Sequence, residues 1–147
     1  MITAKIKEIQ PESTHAGQTF TQTVRVETSD GIELQLFDGV ATSATQELVG
    51  KWVDCEILAH PQSICSVSDS DTSLKIMDMG DSYEIIGRPC QEEQNNDSII
   101  HIQSAYGTIK IDLTDLNKNT IRKTDLDADK IKINAYRLDL VSTEDNN

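Results

Sequence analysis

Few side chains in this chain stand at the spacings that chemistry demands. Asp125, Asp127 and Asp129 alternate as the first ligands of a calcium loop do. The glycine such a loop needs at its sixth position is Lys130, and the acid it needs at its twelfth is Tyr136. A solvated acidic loop accounts for them better, and the pair Asp69 and Asp71 is weaker still. His15, His60 and His101 are scattered, with no HExxH and no Cys/His cluster for zinc. There is no GxSxG and no phosphate-cradling glycine loop. No catalytic residue, metal ligand or cofactor is assigned, and the protein is expected to act by binding and not as an enzyme.

What remains is charge. The chain carries a net charge of −12, which favours solubility and repels polyanions at long range. Both halves are acidic, yet nine of the thirteen Lys and Arg residues lie in 68–147, so any anion site is expected there. Cys55, Cys65 and Cys90 have no CxxC spacing and cannot all pair. Cys55 alternates with Val53 and Ile57 as a small buried residue would, and a reduced, cytoplasmic protein is the simplest expectation. No apolar leader opens the chain and no window approaches eighteen apolar residues, so secretion and membrane spanning are both disfavoured.

The elements that position these charges repeat. Residues 23–37, TVRVETSDGIELQLF, match residues 99–113, IIHIQSAYGTIKIDL, in pattern. Val24 falls on Ile100, Val26 on Ile102, Thr28 on Ser104 and Gly31 on Gly107. Alternation on both sides of a glycine predicts a hairpin with one buried face. With aromatics at only 4%, the core must come from Ile, Leu and Val. Val24, Val26, Leu34, Leu36, Val53 and Ile57 are expected in one core, and Ile100, Ile102, Ile109, Ile111, Ile131 and Ile133 in the other. Before the first hairpin lies a strand over 2–9. After it come a short helix over 42–49 and a strand over 52–59 that Pro61 ends. The second series has a strand over 83–87, the hairpin, a helix or irregular connection over 115–123, and a strand over 130–141. A phase shift near Ala135 brings Tyr136, Leu138 and Leu140 onto one face, which suggests a bulge. The polar run 66–73 reads as a linker or long loop.

Strand, hairpin, short helix and strand, with LQLFDG closing the hairpin and Gly50-Lys51-Trp52-Val53 opening the next strand, resembles the OB-fold of single-stranded DNA-binding proteins and replication protein A subunits. The second copy departs from it, with Ala128-Asp129-Lys130 at the corresponding place and little chain left for a fifth strand. The resemblance implies an all-β protein of two consecutive five-stranded Greek-key, OB-like barrels with short helices. Their bounds would be 1–68 and 82–147, with a linker or extra strand over 69–81. It also implies single-stranded nucleic-acid binding on the outer face of strands two and three, through aromatic stacking and a positive groove. In copy two, alternation turns His101, Gln103, Lys110 and Lys132 outward, together with Lys130. Tyr106 sits in the turn, and Arg122 and Lys123 precede the closing strand. In copy one the corresponding candidates are Arg25, Phe37 and Trp52. The competing expectation is an acidic protein-interaction module, an accessory subunit or a DNA mimic, which acidity and scarce aromatics favour.

Overall fold

A computed structural model describes residues 1–68, 72–90, 98–114, 116 and 128–146. It is all-β. The strands are β1 (Ile2–His15), β2 (Gln18–Glu27), β3 (Glu33–Asp38), β4 (Trp52–Ser66), β5 (Lys75–Asp78), β6 (Tyr83–Pro89), β7 (Ile99–Ser104), β8 (Gly107–Asp112) and β9 (Ile131–Asp145). They join in one mixed sheet, ordered β1-β2-β3-β9-β4-β8-β7-β6-β5, with β1 also paired to β4 and β9 to β6. The two separate five-stranded barrels expected from the sequence are not shown, since β4 and β9 each run through both compact units. One unit is 1–58 with 138–147, and the other is 59–137. These divisions fall inside strands; of the linker or extra strand expected over 69–81, β5 occupies Lys75–Asp78 and 69–71 lie outside the described residues.

In the first unit β1, β2 and β3 form an antiparallel meander. The end of β9 lies parallel to β3, with Phe37 opposite Asp139, and the start of β4 pairs with β1 from Ile2↔Cys55 to Lys5↔Trp52. The order β1-β2-β3-β9-β4 therefore closes on itself. Val24, Val26, Leu34, Leu36, Val53 and Ile57 all point inward and are buried, with Ile2, Ile6, Leu138 and Leu140 added to them. The turn expected at 29–31 is present. Gly31 takes φ 90°, and Thr28 Oγ1, buried beneath it, bonds Asp30 at 2.6 Å and accepts from Ile32 N–H at 3.0 Å. β1 outruns its expected end at Ile9 and continues to a two-residue turn, Ala16-Gly17, both at positive φ. Pro11 is accommodated beside a register shift, where a missing N–H costs the ladder least.

The expected helix over 42–49 is a single 3-10 turn, Gln46–Leu48. The Asp38 carboxylate explains the difference. It is fully buried, and its Oδ1 accepts the N–H groups of Val40 and Ala41 at 3.3 and 3.1 Å. Its Oδ2 accepts Ser43 N–H at 3.0 Å, Ala44 N–H at 3.4 Å and the Gln22 amide at 2.8 Å. Backbone donors committed to a side chain in this way hold the segment as a loop and leave no room for a helical ladder.

In the second unit β6, β7 and β8 form the meander, β5 pairs outside β6, and the start of β9 pairs with β6 from Tyr83↔Ala135 to Gly87↔Ile131. The end of β4 stands between β8 and β9 in the sheet order. The six Ile residues expected in this core are buried, with Ile76, Ile85, Ala59 and Ala135. β4 does not stop at Pro61. Gln62 and Ser63 are both exposed, and Ile64 is buried again. β9 makes the same slip, but one residue away from expectation: Tyr136 and Arg137 both face out, and burial resumes at Leu138. Of the expected connections, 91–97 and nearly all of 115–123 lie outside the described residues.

Candidate nucleic-acid interface

The outward residues of the second unit form one strip across four strands. On β7 and β8, His101 stands opposite Lys110 and Gln103 opposite Thr108. Their neighbours Ile100, Ile102, Ile109 and Ile111 face the core, so period-2 geometry turns these four outward. Thr108 Oγ1 donates to Gln103 Oε1 at 3.3 Å. The next outward residue on β8 is Asp112. Its carboxyl is held below the usual range, first by the Thr114 hydroxyl, opposed by partial burial, and helped by the Thr114 N–H and by His60. That N–H donates to Oδ1 at 2.9 Å.

His60, on β4, places Nδ1 3.8 Å from Asp112 Oδ2. Its Nε2 lies 3.3 Å from Arg137 Nη2 on β9, and the Tyr136 ring centroid is 6.0 Å from its own. A guanidinium only donates, so in this contact Nε2 is the accepting nitrogen. Tyr136 is 43% exposed. The strip thus offers two permanent cations, Lys110 and Arg137, two imidazoles, one carboxylate and an exposed aromatic ring.

The other expected site residues are placed differently. Tyr106 is in the β7–β8 turn, half-buried, with its N–H donating to Ser104 Oγ at 3.2 Å. Lys132 is outward as expected, but lies 4.0 Å from Glu84 Oε1, a carboxylate that Lys75 also holds at 3.2 Å. Lys130 corrects the expectation of an outward cation. It is buried, its ammonium donates to the Thr72 carbonyl, and its own carbonyl accepts Val67 N–H at 3.0 Å. It pins the chain ahead of β9 and does not offer charge to a ligand. Arg122 and Lys123 lie outside the described residues.

Arg25, Phe37 and Trp52 belong to the first unit. Arg25 sits between two carboxylates, Glu8 at 3.0 Å and Glu33 at 3.4 Å, which together outweigh its charge. Phe37 is half-buried, its ring edge 3.3 Å from where a Cβ on Gly39 would stand. Trp52 is 41% exposed opposite Lys5 at the start of β4.

Sequence reasoning missed His60, Tyr136 and Arg137 as site residues. Ending β4 at Pro61 hid the first, and the assumed phase put Tyr136 inward. Among the described residues no group of three or more His, Cys, Asp or Glu side chains is placed to hold a metal ion, and no helix is long and apolar enough to cross a membrane. Compared with known protein families, curated proteins and solved structures, the chain matches none.

Proposed function

We propose that this protein binds single-stranded nucleic acid, without catalysis, through the outer face of the second unit, and that each unit is an OB-like ring whose fifth strand comes from the far end of a long strand. The strand order supports the second part: a three-stranded meander whose first strand pairs with both the second and the fourth suits a five-stranded Greek-key barrel. One observation carries the first part. Lys110, Arg137, His101 and the exposed Tyr136 share a strip with His60, which combines backbone-tracking cations with a ring on which a base can stack. Stacking on such a ring is worth about 1–3 kcal/mol per base.

The net charge of −12 makes the binding weak and steeply salt-dependent, since each phosphate neutralised releases counterions and long-range repulsion opposes approach. The test is fluorescence anisotropy with labelled DNA and RNA oligonucleotides at about 20 mM salt, where screening is least. Wild type should bind. Lys110→Glu with Arg137→Glu should abolish binding without unfolding the chain, because both side chains sit on the outer face.

A second reading rests on the first unit. Its outer face carries Glu8, Glu12, Glu27 and Glu33, with Arg25 and Lys7 already ion-paired to them. That face suits a basic protein partner. Absence of binding to either oligonucleotide at low salt removes the nucleic-acid reading and leaves this one.

A further inference from the structure

β4 and β9 are each fifteen residues long, about two to three times the usual strand. Each begins in one compact unit and ends in the other. In the first unit, 138–145 fills the place between β3 and β4. Leu138 and Leu140 are buried there, and a set of polar contacts fixes the segment. Ser43 Oγ donates to the Val141 carbonyl at 3.0 Å, and Thr143 Oγ1 donates to the Ser43 carbonyl at 2.6 Å. Ser142 Oγ donates to Glu56 at 2.9 Å, and the Asn146 amide donates to Asp54 at 2.9 Å. In the second unit, 59–66 fills the corresponding place between β8 and β9, with Ala59 and Ile64 buried and His60 held by Asp112 and Arg137.

Removal of either strand end would open a ring and expose two strand edges and an apolar core. Residues 1–68 contain everything the first unit needs except 138–147. Residues 72–147 contain everything the second needs except 59–71, of which 59–66 belong to β4. The two segments are also rough repeats of one another in sequence, and each ends on its long strand. The arrangement is that of a strand-exchanged pair joined by a short covalent connection.

We propose that 1–68 and 72–147 are obligate binding partners, each completing its ring with the end of the other's long strand, and that the peptide joining them is dispensable to the assembled state. Two autonomous domains on a linker would behave in the opposite way. This inference is independent of what the protein binds.

The test uses the full chain with a protease recognition site placed between Ser68 and Thr72 and cut after folding. Native size exclusion and native mass spectrometry should return one species containing both fragments in 1:1 ratio, with an unchanged circular dichroism spectrum. Fragments that elute separately, each still folded, would overturn the proposal. Hydrogen exchange on the uncut chain gives a second measurement that no failed variant can obscure. Amides of 138–145 should open together with those of β1–β3, and those of 59–66 together with β6–β8. Protection of 138–145 that follows β6–β8 and not β1–β3 would equally refute it. In the cut protein, Leu138→Asp with Leu140→Asp should release the two fragments, and retention of the 1:1 complex would count against the exchange.

Discussion

Asp38→Asn changes one oxygen for an amide and nothing in shape, so its cost measures the buried hydrogen bonds themselves. In the native loop five N–H donors converge on this carboxylate, two on Oδ1 and three on Oδ2. An asparagine must turn its NH2 towards one of the two groups. The cheaper choice faces Val40 and Ala41, whose bonds are the longer set at 3.3 and 3.1 Å. Each donor left without an acceptor in a buried setting costs about 1–3 kcal/mol. The three remaining bonds also weaken, because hydrogen bonds to an ionised acceptor are roughly twice as strong as neutral ones. The sum is about 3–5 kcal/mol, a large part of the roughly 5–15 kcal/mol that stabilises an ordinary domain.

Urea denaturation followed by circular dichroism reads this directly. With a slope of about 2 kcal/mol per molar, the midpoint should fall by about 2 M. Hydrogen exchange should speed up at Val40 and Ala41 more than in the strands. A loss under about 1 kcal/mol would show that solvent satisfies these donors as well as Asp38 does, and would refute the account of the loop.

Three further outcomes rest on single side chains and one glycine. Burial, and secondarily the Asp54 charge, push the Cys55 thiol up to about 12. Its contribution to stability is therefore intact below its ordinary value and is lost as pH rises from there towards the folded value. Denaturation midpoints should fall above about pH 9, less so in Cys55→Ala, and a thiol reagent at pH 8 should label exposed Cys65 while sparing Cys55. The Asp112 carboxyl is held low chiefly by the Thr114 hydroxyl, so its stabilising share is complete above the ordinary carboxylate range and is lost as pH falls through the depressed folded value. Thr114→Val should move the Asp112 titration upward in an NMR pH series, and no movement would reassign the cause. Gly87→Ala would set a Cβ 2.8 Å from the Gln103 carbonyl oxygen, an overpacking that forces β6 from β7 and costs about 1–3 kcal/mol. A neutral result in the same urea assay would mean that the backbone gives way freely there.

The core was legible because alternation needs only local sequence. The buried set Val24, Val26, Leu34 and Leu36 and its counterpart Ile100, Ile102, Ile109 and Ile111 follow from period 2 alone. So do the paired hydroxyls Thr28 and Ser104, both buried beneath the hairpin turns. The long strands were not legible. Pro61 reads as a strand end, and Gln62-Ser63 and Tyr136-Arg137 break the alternation, yet in each strand the next apolar residue, Ile64 or Leu138, returns to a core. Local pattern records which way a side chain faces and not which ring a strand completes. For the same reason the polar run at 66–73 marks a connection in the chain, while the compact units divide within β4 and β9.

The site was legible in direction and not in environment. Alternation turned Arg25 and Lys132 outward correctly, but the carboxylates that meet them, Glu8, Glu33 and Glu84, are fixed by cross-strand register. In a chain with so large an acidic excess, most outward cations will meet a carboxylate, and an ion pair at the surface adds little stability while cancelling the charge a phosphate would seek. The strip's cations have imidazoles among their neighbours. Arg137 faces an imidazole nitrogen, and Lys110 stands opposite His101. Arg25, by contrast, has two carboxylates within 3.4 Å. His60 is 77 residues from Arg137 in sequence, and only the passage of β4 into the second unit brings them together. The features that make the strip a candidate for an anionic ligand are thus the ones that the long strands create.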